Sequence, residues 1–396
     1  MDHRSFDDWT RQACARGQAR LAALTAGAVA ELDPALTRAL ANAGPEPYLE
    51  PQLFAFLSRP RPELSLRQVL LHPTVQARGH AHARVHADAR GSIVLPGLGH
   101  LRAEARDRAL LLEWSEAGPR LLDGARAVAC ELEPWPRIAG TPFMLAPELP
   151  PDFAPLLAGP DGAPAQVEVT AGPDAERDRL ARACELIAAF HPRYYARMLD
   201  AVRMVVVYRG EHPYSFASLS AHGAVFLNTR ADASVVALVE DLVHQSGHVI
   251  FGAATVDRQA LFCVDPDVPL SAISADGDGA HGLYESFHGL FTQVNINRCL
   301  RQLRRAGVFE GAERHELEGR ISDDMKRFGA AIHILGNRAV YTELGWWLFS
   351  YFKRCFVALY SEQRALIEAH DTSNQPYIFS YARFLERNPR VLDASA

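Results

Sequence analysis

The stretch Ser234-Val-Val-Ala-Leu-Val-Glu-Asp-Leu-Val-His-Gln-Ser-Gly-His-Val-Ile-Phe251 places apolar side chains at Val235, Val236, Leu238, Val239, Leu242, Val243, Val249 and Ile250. This spacing predicts a helix buried around most of its circumference, with Ser234 at the capping position. His244 and His248 stand one helical turn apart on it, so their rings share a face that points inward. Two short strands, over 204–208 and 224–228, and a helix over 174–193 precede this segment. An Asp- and Gly-rich loop over 263–280 follows, and beyond it helical spacing continues almost to the C-terminus. Residues 173–396 therefore read as a mainly helical domain with a short sheet.

Toward the N-terminus the pattern changes. Leu21, Leu24 and Val29 sit at helical spacing within an N-terminal helical segment, 1–60, whose helices end before Pro45 and Pro47. From about 64 to 134 the period is two, most plainly over 77–89, and Gly97 and Gly99 mark a turn. Residues 61–140 are thus expected to form a small antiparallel β unit. Prolines crowd 141–172, from Pro147, Pro150 and Pro151 to Pro160, and read as a connection. The fold class expected from the whole pattern is α+β.

Composition excludes several function classes. The 396 residues are 48% hydrophobic and 22% charged, with a net charge of -6, so the chain has no general attraction to nucleic acid or to an anionic membrane. No segment offers the roughly 20 uninterrupted apolar residues of a membrane span, and the N-terminus has no apolar signal core. The six cysteines are scattered without a close pair, which suits a reducing, cytoplasmic setting and offers no Cys-x-x-Cys metal knuckle.

The chemistry concentrates in the histidines. His82 and His86 also stand four apart, but they fall in the period-two run and belong to the solvated side of a strand with His80. His244 and His248 differ because apolar residues surround them. Desolvated imidazoles need partners, and a shared metal ion would satisfy both; the alternative is a core pair hydrogen-bonded to carboxylates. Glu240 and Asp241, one turn earlier, are spaced to orient the rings, and Gly247 leaves room for a close approach to the helix. In the His-Glu-x-x-His zinc hydrolases the residue after the first histidine is the base that deprotonates metal-bound water. Here it is Gln245, an amide that cannot take that proton, so the segment is metallopeptidase-like in ligands but lacks the base. A third ligand is expected from His281-Gly-Leu-Tyr-Glu-Ser-Phe-His288, where His281, Glu285 and His288 would share one helical face, with either His288 or Glu285 on the metal.

With Leu242-Val243-His244-x-x-x-His248, a loop containing Asp265-Pro266 and then His288-Gly289-Leu290-Phe291, the chain resembles the HExxH-motif peptide-modifying enzymes of ribosomal-peptide natural product pathways. The resemblance covers the sequence from about 200 onward, with a weaker echo in the turn at 95–99. It departs from the family at Gln245 and in the absence of an arginine from 263–280. It implies an iron(II) and 2-oxoglutarate-dependent oxygenase that hydroxylates the β-carbon of a side chain in a precursor peptide, with His244, His248 and His288 as iron ligands.

Coordination chemistry is compatible with that expectation: three neutral imidazoles leave open positions for a dianionic oxoacid and a gas molecule. Gln245 adds no repelling charge and can hydrogen-bond a ligand, while Glu285 can support the third histidine. The far carboxylate of 2-oxoglutarate needs a cationic clamp. The candidates are Arg298, about 15 Å along the helix from His288, and Arg338. The β unit could hold the precursor peptide by adding a strand to a sheet edge. The competing expectation is a zinc-binding, peptidase-like protein that binds a peptide or partner without hydrolysing it.

Overall fold

A computed structural model describes residues 3–61, 63–158, 166–211 and 214–390; Pro160 of the expected connection lies outside them. Helix accounts for 55% and strand for 16%, consistent with an α+β class. Among the described residues no helix is long and apolar enough to cross a membrane, and none of the six cysteines forms a disulfide. The chain divides into two compact units, one of residues 15–178 and 199–231 and one of residues 1–14, 179–198 and 232–396.

The first unit is mixed. The division falls inside helix α1 (His3–Leu32), after which come α2 (Pro34–Ala39), α3 (Pro51–Ser58), α4 (Leu66–Val69) and α5 (Leu71–Arg78). Asp33 caps α2 by accepting from the backbone N–H groups of Ala35 and Leu36, and Pro34 occupies the first helical position, where its missing N–H costs nothing. Two antiparallel sheets follow. One runs β1 (Ala81–Ala87), β4 (Arg108–Ser115), β5 (Gly118–Asp123), β6 (Arg126–Val128); the other runs β2 (Ser92–Leu95), β3 (Gly99–Ala103), β7 (Cys130–Pro134). In β1 the alternation expected from sequence is observed: Ala83, Val85 and Ala87 are buried while His82 and Arg84 face outward. The stretch 66–78, expected as strand, is instead helical, with Ser65 capping α4 at 3.1 Å from the N–H of Gln68.

The expected Pro-rich connection is more than a linker. Its strand β8 (Met144–Ala146) pairs in parallel with β10 (Met204–Arg209), which pairs in parallel with β11 (Ala224–Asn228) and antiparallel with β9 (Glu168–Val169). Phe143, Leu145, Ala146 and Phe153 are fully enclosed. The strands at 204–209 and 224–228 therefore belong with the N-terminal half rather than with the helical domain assigned to 173–396. Their backbone groups are satisfied by β8, a partner that no local pattern announces.

The second unit is helical: α6 (Asp174–Phe190) for most of its length, the start of α7 (Pro192–Ala201), α8 (Val235–Ala254), α9 (Leu283–Ala306), α10 (Gly311–Ile334), α11 (Glu343–Ala369) and α12 (Tyr381–Arg387). Ser234 Oγ accepts from the N–H of Ala237 at 3.1 Å and starts α8 where the sequence places it. Helix α9 packs against α8, α10 and α11, with Phe251, Phe287, Phe291 and Phe352 forming a dry aromatic interior. Gly247 lies where α8 approaches α9: a Cβ there would stand 3.0 Å from Thr292 Cγ2 and 3.2 Å from the Tyr194 hydroxyl. The close approach that this glycine permits is thus made by protein, and Tyr194 uses it to donate to the carbonyl of Val243 at 2.5 Å.

Candidate metal centre

Helices α8 and α9 bring His244, His248 and His288 together. The ring centroids of His244 and His248 are 4.9 Å apart, and those of His248 and His288 are 4.6 Å apart. Two imidazoles bonded to one ion at about 2.1 Å have centroids roughly 4.5–5.2 Å apart for right-angled to tetrahedral bond angles. All three histidines are half-buried. Burial pushes His244 down to about 4 and His248 far below the ordinary histidine range, where the charges of its two neighbours add to the effect. His288 is also pushed down to about 4, by burial first; hydrogen bonds to backbone carbonyls oppose this, and the charges of Arg258 and His244 add to it. At neutral pH all three rings are therefore uncharged, the state in which a nitrogen lone pair is available.

Among the described residues no hydrogen bond reaches the ring nitrogens of His244 or His248. His288 differs: its Nε2 lies 3.1 Å from the carbonyl oxygen of His248. A carbonyl only accepts, so Nε2 carries the proton and the lone pair sits on Nδ1. As placed, the rings are neighbours whose nitrogens do not converge, and among the described residues no group of three or more His, Cys, Asp or Glu side chains is gathered as a metal-holding set. The donors nevertheless suit a transition metal in kind, their ring centroids are close enough to share one, and two of them have no competing partner among the described residues. Turning the His288 ring would release one hydrogen bond, worth about 1 kcal/mol net. An ion held by all three rings would have to outweigh that loss.

The other expected residues lie elsewhere. Gln245 is buried; its Nε2 donates to Asp241 Oδ1 at 3.3 Å, and its Oε1 is enclosed without a donor. Glu240 does not orient a ring; its Oε2 accepts from Arg320 Nη1 at 2.9 Å. His281 does not join the face of α9, because the side chain of Asp278 accepts from its backbone N–H at 2.8 Å and contacts its ring, holding it ahead of the Gly282 N-cap. Glu285, in the first turn of α9, is exposed. Arg298 donates to the hydroxyl of Tyr351 and lies 3.5 Å from Cys355 Sγ on α11. Arg338 donates to the carbonyl of Tyr341 at 2.6 Å, pairs with Glu343 and lies over Trp346.

One cation that the sequence did not single out stands near the histidines. Arg258, in the turn after α8, lies over the ring of Tyr284 at 4.4 Å, and the centroid of that ring is 5.5 Å from that of His288. Its further partner is Asp267 at 3.7 Å, a loose and exposed pair. Tyr284 is fixed from the other side, where its hydroxyl meets Thr255 Oγ1 at 2.8 Å. The position of Tyr284 one turn before His288 is visible in the sequence, whereas the placement of Arg258 depends on how the chain turns after α8. No protein-family model matches this chain, and no curated protein is similar to it.

Proposed function

We propose that the chain is an iron(II) and 2-oxoglutarate-dependent oxygenase that hydroxylates a side chain of a ribosomally made precursor peptide, with His244, His248 and His288 as its metal ligands. The observation that carries this reading is the group of three neutral, adjacent imidazoles in which an amide, Gln245, stands where the zinc hydrolases have their glutamate base. Hydrolysis needs such a base, yet Gln245 is buried against Asp241 and Glu240 is paired with Arg320. Iron held there would supply the redox chemistry that couples conversion of 2-oxoglutarate to succinate with hydroxylation of a C–H bond. The residues' own contribution is to orient and to exclude water. Arg258 presents a guanidinium near His288 that suits the far carboxylate of the cosubstrate better than Arg298 or Arg338, which are engaged elsewhere. Phe251, 5.1 Å from His288 between centroids, and Tyr284 wall the third ring with aromatic surface.

The open edges of the two antiparallel sheets could take a peptide strand, which would supply affinity apart from the metal. The inward burial of Gln245 also favours a second reading, a zinc-binding peptidase-like protein without hydrolytic activity that holds a peptide or partner. The test is to add oxygen to anaerobic protein loaded with iron(II) and 2-oxoglutarate. Formation of succinate, lost in His244→Ala, supports the oxygenase. Tight zinc binding without succinate under any iron loading supports the second reading and overturns the first.

A further inference from the structure

The mixed unit contains a cavity of about 580 Å³, bounded by α2, α5, the segment before α3 and the turn between β2 and β3. Its size lies within the range of about 300–1,000 Å³ typical of small-ligand sites. Its walls carry both signs of charge. Glu50 lines it, with Oε1 enclosed and without a hydrogen-bond donor. Burial pushes this carboxyl up to about 7; the charge of Arg203 and a hydrogen bond from the backbone of Gln52 work against the shift, and the charge of Asp152 adds to it. Arg203 pairs with the exposed Glu46 at 2.6 Å, whereas Arg38 and Arg78, both exposed at the rim, have no carboxylate partner among the described residues. His72 adds a half-buried ring that burial holds below the ordinary histidine range. Gly97 keeps the turn clear: its φ of +73° favours glycine, and a Cβ there would touch Glu50 Oε2 at 3.5 Å and His72 Nδ1 at 3.7 Å.

A largely buried carboxyl and two guanidiniums without carboxylate partners, around one cavity, match a ligand with an ammonium group at one end and a carboxylate at the other. We propose that this cavity binds a zwitterionic amino acid or short peptide, with the ammonium at Glu50 and the carboxylate at Arg38 and Arg78. An anion alone would leave Glu50 without a cation from the ligand, and a cation alone would make no use of the two guanidiniums. The site is separate from the imidazole cluster and independent of any metal there.

The experiment is isothermal titration of the full chain with trialanine, N-acetyl-trialanine and trialanine amide. The expected result is saturable binding of trialanine, weakened at least tenfold by blocking either end. Glu50→Gln, which keeps the side chain's shape, should abolish the preference for the free amino end over the acetylated one. Arg38→Ala with Arg78→Ala should abolish the preference for the free carboxylate over the amide while leaving the melting curve unchanged. His244→Ala should bind trialanine like the parent chain, which separates this site from the metal reading. Three peptides binding alike, no saturable heat with trialanine, or a Glu50→Gln protein that still prefers the free amino end would overturn the proposal.

Discussion

Replacing Arg320 with methionine removes the charge that ties α8 to α10 and keeps most of the apolar stem. The guanidinium donates to Glu240 Oε2 at 2.9 Å and twice to Glu316 Oε1, at 2.9 and 2.8 Å. Arg320 and Glu316 are nearly buried and Glu240 largely so, with side chains 10%, 8% and 17% exposed. Burial works against the charge of Arg320, and the two carboxylates outweigh it. Asp324, pushed far above the carboxylate range by burial and then by the charges of Glu240 and Asp323, is a carboxyl and offers no positive charge in place of Arg320. Without Arg320 two carboxylates remain uncompensated, and breaking a buried pair in this way costs about 3–5 kcal/mol. The cost has a ceiling, because a carboxylate can take up a proton instead of staying charged. From an ordinary glutamate pKa this costs about 4 kcal/mol per group at pH 7 and about 1 kcal/mol at pH 5. Urea unfolding followed by circular dichroism should therefore show the variant about 4 kcal/mol less stable than the parent at pH 7, with the gap narrowing toward pH 5. A loss below about 1 kcal/mol at pH 7, or a gap independent of pH, would refute the reasoning.

Further outcomes follow from the same structure. Metal-free protein should lose stability as pH falls from about 6.5 to 4. His191, His222, His244 and His288 are each held near 4, so the unfolded chain takes up protons first, at up to about 3 kcal/mol per ring. Glu50 and Asp152, both held near 7 by burial, contribute in the opposite sense over the same window, as do the raised Asp323 and Asp324, but His248, His72, His315 and His370 are lowered as well and the histidines outnumber the carboxyls; a urea midpoint that rises from pH 7 to pH 5 would contradict this. Gly345→Ala should destabilise by about 2 kcal/mol in the same assay, since its Cβ would stand 2.0 Å from the carbonyl oxygen of Leu261, a backbone atom that cannot turn aside. Arg258→Ala should raise the 2-oxoglutarate concentration for half-maximal succinate formation at least tenfold without changing bound iron, and an unchanged value would remove Arg258 as the clamp.

The sequence made α8 legible because its signals agree: an apolar spacing of 3.6, a serine cap and a histidine pair on one face. The alternation in β1 was equally plain. What stayed hidden depends on partners distant in the chain. Helical spacing alone carried His281 onto α9, but the Asp278 carboxylate captures its N–H and Gly282 starts the helix one residue later. The segment 141–172 read as linker because β8 is three residues long, too short for a period to show, and its burial becomes evident only once β10 lies beside it. The sequence offers Arg298 and Arg338 by position along the chain, and it does not show the partners each has, Tyr351 for the first and Tyr341 and Glu343 for the second. Arg258 carried no local pattern at all.

The central claim is that three imidazoles hold one ion, and X-ray absorption at the iron edge of anaerobic iron(II)-loaded protein tests it most directly. The account predicts one iron per chain with three imidazole nitrogens at about 2.1 Å, falling to two in His288→Ala, because the ring now hydrogen-bonded to the carbonyl of His248 turns to take the metal. Iron that fails to bind, or a coordination shell unchanged in His288→Ala, would contradict it.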